Sequence, residues 1–371
     1  MIDADLLYDD VEQQLRDSVR RLLHAQAKAN VTSAAYDQPI EFADLRVALL
    51  RDIGVAGLLV SSDLGGAGAT TREAAVVAEE IGRAVAPVPF LTSSVIATTT
   101  LSRTGERELL SALAEGSVTA ALALSFVAAE LPGRLPVRAT DGGLVGSVRS
   151  VADAGTADVL LVPADGAGGV ELHRVARTAD TGVVVTSVPS LDMTRPVSDV
   201  VLDGASSRRI DTSSARLAVD LGLRAGAGIL ASEQLGLAQR CMDATLEYVK
   251  QRSQFGRAIG SFQALKHRLA DLWVEIGQAG AAARYAADAL ARQDEDAAIA
   301  VSTAQAWCSV VAVRAAEECL QLHGGIGMTW ESPIHLYLKR AKANELALGT
   351  PFEHRARLGE LLGLPPTQNT P

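Results

Sequence analysis

From residue 213 to residue 364 the chain carries four long stretches with helical apolar spacing, roughly 214–250, 261–292, 296–322 and 333–362. Helices of that length joined by short connections become antiparallel neighbours, so the segment is constrained to an up-down four-helix bundle. Ser261 stands as an N-cap for the second stretch. Ser332 and Pro333 stand as N-cap and first helical residue of the fourth. The proline-rich tail, 365–371, reads as frayed.

The first third, 1–117, also reads as helical. Val11, Leu15, Val19, Leu22 and Leu23 recur among charges over 8–28 in an amphipathic pattern. Thr70 and Glu73 have capping-box spacing at the start of another helix, behind the glycine-rich loop 63–68. Residues 118–212 change character. Runs at 118–124, 159–162 and 183–188 are β-branched and punctuated by Gly, Asp and Pro, which predicts strands. Asp165 to Gly169 fits a hairpin loop. Helices, then strands, then a bundle is an α+β order, not the alternation of a doubly wound sheet. The domains are placed at 1–117, 118–212 and 213–364, with 365–371 as tail.

The net charge of −10 argues against a duplex nucleic-acid footprint, which needs a clustered basic face. Cys241, Cys308 and Cys319 form no CxxC pair, and their odd number points to a reduced, cytoplasmic setting. Charged residues and glycines interrupt the apolar stretches before the length of a membrane span. The six histidines make no metal-ligand pattern. Gly65, Gly66 and Gly68 are not followed by the Lys-Ser/Thr of a phosphate-binding loop.

Two segments between helices have the residue types of an anion-binding site. In the first, Arg252 offers a planar fork for phosphate oxygens, Gln254 adds polar contacts, Phe255 can lie against a ring and Gly256 permits a close turn. In the second, Gln321 precedes the adjacent Gly324 and Gly325, which let backbone approach a bulky anion. Each has a plain structural reading as well: a solvated helix connection for the first, a helix C-cap for the second.

QRSQFGRAIGSFQALKH (251–267) and QLHGGIGMTWE (321–331) resemble the two signature segments of the acyl-CoA dehydrogenase family, and their separation fits. Residues 61–68 are similar to that family's N-terminal glycine loop, and Asp192-Met193-Thr194-Arg195 to its DxTR-like strand. The resemblance implies an N-terminal helical domain, a middle β-barrel-like domain and a C-terminal four-helix bundle. It implies FAD, an acyl-CoA thioester as substrate and electron transfer to an electron-transfer flavoprotein. In the family reaction a carboxylate removes the α-proton while the β-hydrogen leaves as hydride to the flavin. Arg252, Gln254, Phe255, Gln321, Gly324 and Gly325 would reach across to a neighbouring subunit's FAD, and Thr350 would join the cofactor contacts.

The chain departs from the family where proton abstraction requires a base. The two family base positions are occupied by Leu348 and Gly226. The stretch 125–131, the Ser150-Val151-Ala152-Asp153 stretch and Phe352 also depart from the family's flavin-contacting residues. One expectation is therefore a non-catalytic subunit of a heteromeric dehydrogenase whose partner carries the base. A second is a self-sufficient enzyme with a displaced base, Glu345 sharing a helix face with Leu348, or Glu353 or Glu233. A third is a non-redox scaffold or regulatory protein on the same fold.

Overall fold

The computed structural model describes residues 6–26, 42–177 and 181–365; the tail from 366 onward lies outside them. α1 (Asp10–Gln26) buries Val19 and Leu23. Its Arg16 and Arg20 pair with Glu79 and Glu80 of α3 (Thr71–Ala84), at 2.7 and 2.6 Å. The capping box forms as its spacing predicts: Thr70 Oγ1 accepts from the Arg72 N–H at 3.1 Å, and Glu73 accepts the Thr70 N–H at 2.9 Å. Short α2 (Ala43–Val47), α4 (Phe90–Leu101) and α5 (Arg107–Ala114) complete this layer. The first eight residues of α4 are π-wound and wholly buried.

The middle block is one sheet. Its strands are β1 (Ala120–Leu122), β2 (Val137–Thr140), β3 (Gly143–Ala152), β4 (Val159–Gly166), β5 (Gly169–Ala176), β6 (Val183–Val188), β7 (Val197–Ala205) and β8 (Arg208–Arg209). The order is β6-β7-β3-β2-β4-β5-β8, with β1 parallel to β4. β4 and β5 pair down to Gly166 and Gly169, so the hairpin turns where expected. Asp192 to Arg195 is not a strand. It is a buried turn in which Asp192 Oδ1 accepts the Thr194 N–H at 2.9 Å.

The bundle consists of α6 (Ala215–Gln251), α7 (Gln263–Ala291), α8 (Ala297–His323), α9 (Ile334–Leu346) and α10 (Pro351–Leu361). The fourth predicted stretch is thus two helices. Leu348 and Gly349 take φ of +54° and +99°, and Thr350 opens α10 with a second capping box to Glu353. Ser261 is not an N-cap; it sits in a 3-10 turn and donates to the Ala258 carbonyl at 2.7 Å. At α9 the cap lies one residue later than expected, on Pro333. α8 and the turn after it, Ala297–Met328, are long and apolar enough to cross a membrane, but 67% of the most apolar window is buried inside the fold, which marks a core helix.

Two features weld the three blocks together. α3 and α6 cross at reciprocal glycines: a Cβ on Gly82 would stand 1.9 Å from the Glu233 carbonyl oxygen, and one on Gly236 1.8 Å from that of Glu79. Beside the crossing lies a buried charge network. Glu233 of α6 pairs with Arg195 at 2.5 Å and with Arg340 of α9 at 2.9 Å. Arg340 also pairs with Asp192 at 2.7 Å, and Asn344 donates to Glu233 at 3.0 Å. Burial alone would raise the Glu233 carboxyl, but the two guanidiniums overturn this and hold it at about 2.

Candidate functional site

Gly226 and Leu348, which the resemblance sets at the two family base positions, are far apart in sequence and face each other. A Cβ at Gly226 would stand 3.1 Å from Leu348 Cδ1 and 2.6 Å from Ile96 Cγ1. The left-handed turn at Leu348 aims its side chain inward, where it is 1% exposed. Around it Thr92, Ile96, Leu124, Phe126, Ala152 and Leu223 enclose about 20 Å³, room for roughly one water. Among the described residues, no carboxylate lines this space. Gly226→Glu would set an unpaired carboxylate against Ile96 and Leu348. We expect it to lower stability by about 3 kcal/mol or more without producing turnover. The urea midpoint and an acyl-CoA assay check this; a stable, active variant would show that the space opens.

The displaced candidates do not reach this space. Glu345 does not share a helix face with Leu348, because α9 ends at Leu346, between them. Glu345 is turned outward, 3.6 Å from Lys342 Nζ. Glu233 is locked in the buried network as an ionised carboxylate. Glu353 accepts the Thr350 N–H at 2.8 Å, which holds its carboxyl below the usual range. Thr350 Oγ1 in turn accepts the Glu353 N–H at 3.3 Å, so its hydroxyl serves the helix cap.

The face between sheet and bundle, where the family's own flavin contacts would stand, is taken up by the chain itself. The Leu348 N–H donates to the Phe126 carbonyl at 2.8 Å, and the Gly349 N–H to that of Val127 at 3.0 Å. The Phe126 N–H donates to the Ser150 carbonyl at 3.0 Å. Ser150 and Asp153 take φ of +53° and +55°, and Asp153 turns into the interior, where Thr92 Oγ1 donates to it at 2.6 Å. Burial pushes the Asp153 carboxyl up. An isoalloxazine ring does not fit the small space that remains, so this face does not suit a bound flavin.

The opposite arrangement holds at the far end of the bundle. Arg252 caps α6, and β9 (Ser253–Gln254) and β10 (Arg257–Ala258) form a two-residue hairpin after it. Phe255 and Gly256 make its turn, with φ of +53° and +77°, as a tight hairpin requires. Phe255 is 91% exposed. Gly324 ends α8 with φ of +60°, and a Cβ on Gly324 or Gly325 would meet nothing within 4 Å. The two segments are adjacent: Tyr248, four residues before Arg252, stacks on His323, directly before Gly324, with ring centroids 4.2 Å apart. Arg252, Gln254, Gln321, Gly324 and Gly325 are all exposed, and Arg252 has no carboxylate partner among the described residues. This end of the bundle brings a guanidinium, an aromatic ring and bare glycine backbone together, exposed among the described residues.

Sequence reasoning missed the Thr92–Asp153 pair and the Arg340–Glu233–Arg195 network. Their bonded members are 38 to 107 positions apart, and no local spacing signals them.

The profile described as acyl-CoA dehydrogenase, N-terminal domain, matches residues 9–117, and that of the C-terminal domain matches residues 218–361. The chain is similar to the acyl-CoA dehydrogenase IpdE2 of Mycolicibacterium smegmatis, 34% identical over 93% of this chain and 96% of that protein. The ChsE4-ChsE5 complex from Mycobacterium tuberculosis contains a chain of the same fold, with a TM-score of 0.86 and 30% identity over 98% of this chain and 100% of that one. A chain of the Tcur3481-Tcur3483 steroid ACAD, in its G363A variant, matches with a TM-score of 0.84 and 28% identity over 95% and 98%. On these matches and on the fold, the chain belongs to the acyl-CoA dehydrogenase family of flavin-dependent oxidoreductases.

Proposed function

We propose that this chain is the non-catalytic subunit of a heteromeric, cytoplasmic acyl-CoA dehydrogenase and completes the FAD site of a partner subunit that carries the base. The observation that carries this reading is an asymmetry. The catalytic face, Gly226 against Leu348, is apolar and closed, whereas the bundle end is exposed and convergent. Arg252 would hold pyrophosphate oxygens in a charge-assisted fork, Phe255 would cover a ring, and the backbone at Gly324 and Gly325 would approach the cofactor closely. Gln254 and Gln321 add hydrogen bonds at the same end. Bound FAD supplies the hydride acceptor for α,β-desaturation, and an electron-transfer flavoprotein takes the electrons onward. The assembly would be a heterotetramer, and the steroid ACAD named above favours a bulky steroid side-chain thioester as substrate.

The test is flavin absorbance and native mass of this chain alone and co-expressed with a base-bearing acyl-CoA dehydrogenase from the same gene cluster. We expect a colourless, inactive lone chain and a yellow, active complex. Stoichiometric FAD and turnover in the lone chain would sink the proposal. Flavin-free complexes throughout would favour a scaffold.

A further inference from the structure

Three spaces ring two turns of α6, between Asp220 and Ala227. The first is the closed space at Leu223 and Leu348. The second, beside Asp220 and Ala227, is of similar size and is lined by the Arg357–Glu130 ion pair, 2.8 Å long. The third is much larger, a cleft of about 380 Å³ on the side of Leu221, Arg224 and Ala225. That volume is in the range that takes a small organic ligand.

The lining of this cleft is divided. Leu59, Leu221, Ala225 and Leu290 contribute apolar surface to it, and Arg224 and Arg103 contribute two guanidiniums. Arg224 is half-buried, and burial followed by the like charge of Arg357 makes its proton easier to lose. It also lines the second space, with Asp220 and Glu130, but it forms no ion pair among the described residues. Asp220 attracts it without forming an ion pair and accepts the Leu131 N–H at 2.9 Å. Asp294, also on the cleft, pairs with Arg292 at 3.0 Å. Arg103 is exposed and likewise has no ion pair among the described residues. A guanidinium that has lost part of its water and gained no counter-ion is a standing electrostatic deficit, and a bound anion relieves it.

We propose that this cleft binds an amphipathic carboxylate, with the acid head on Arg224 and Arg103 and the apolar body along Leu59, Leu221 and Leu290. Two guanidiniums, one of them exposed, suit a single carboxylate rather than the several phosphates of coenzyme A. The apolar wall contributes by removing hydrocarbon from water. The site is independent of which subunit carries the catalytic base.

Decanoate titrated calorimetrically into the full chain tests it. We expect saturable binding that weakens about tenfold or more in Arg224→Leu, the worth of a charge-assisted pair. Arg103→Ala, an exposed change that leaves the fold intact, should weaken binding by a smaller factor. Decanol, which has the same chain without the charge, should bind about tenfold or more weaker than decanoate. No saturable binding, equal affinity for decanol, undiminished affinity in Arg224→Leu, or displacement of decanoate by coenzyme A would each overturn the proposal.

Discussion

Arg340→Met is expected to lower the stability of this chain by about 3–5 kcal/mol, because it leaves two buried carboxylates without their shared cation. Arg340 is 1% exposed, 2.9 Å from Glu233 and 2.7 Å from Asp192. Arg195 would still neutralise Glu233, so most of the loss falls on Asp192. The urea midpoint at neutral pH reads the effect; a shift below about 1 kcal/mol would mean that water reaches the network. The same network sets an acid limit. The Glu233 carboxyl titrates at about 2 in the fold, against 4.5 for an ordinary glutamate. Its contribution is therefore fully present above about pH 5 and is lost as pH falls toward 2, an effect of roughly 3 kcal/mol. Asp153 works in the opposite sense: its carboxyl is raised by burial, so protonation on acidification relieves a cost. Glu233→Gln should flatten the acid limb of a stability-versus-pH curve. An unchanged limb would assign acid unfolding to other carboxylates.

Arg252→Ala is expected to weaken FAD retention by the heteromeric complex about 10- to 100-fold, the range for a hydrogen-bonded charge on phosphate. It should leave the lone chain's thermal midpoint unchanged, because Arg252 is exposed and unpaired among the described residues. Arg252→Lys should restore only part of the loss, since an ammonium lacks the planar fork. Flavin absorbance retained through gel filtration gives the readout. Equal retention in all three forms would remove Arg252 from the cofactor contacts.

Much of this architecture was legible in the residues, and the parts that were not share a cause. Helical and strand rhythms are local, so the order of helices, sheet and bundle could be read from period and punctuation. The break after α9 was also written locally: Gly349, Thr350 and Pro351, with Glu353 three residues after Thr350, make a helix start. Apolar spacing ran on through it and concealed the stop. That break decides the fate of Glu345, because a continuous helix would have carried it on the same face as Leu348. The meeting of Gly226 with Leu348 could be anticipated only from the family resemblance, since no rule of spacing brings residue 226 to residue 348. The Asp192–Arg195 segment was placed on a strand by the resemblance alone; the contacts that make it a turn run from Asp192 to Thr194 and to Asn344 and Arg340 of distant α9. The cleft beside Arg224 was invisible for the same reason: five separate helices and the loops between them build it.

The glycine crossing of α3 and α6 has a mechanical consequence. Backbone rests on backbone at both Gly82 and Gly236, so neither helix can slide past the other without driving a side chain into a carbonyl. The contact acts as a key in a slot. The N-terminal layer and the bundle must move as one piece, whatever subunit docks at the bundle end. A bundle cut free at residue 213 would carry an empty notch along α6 and keep Glu233 without Arg195. The smallest unit that can be shortened, grafted or recombined is therefore the whole span from α1 to α10.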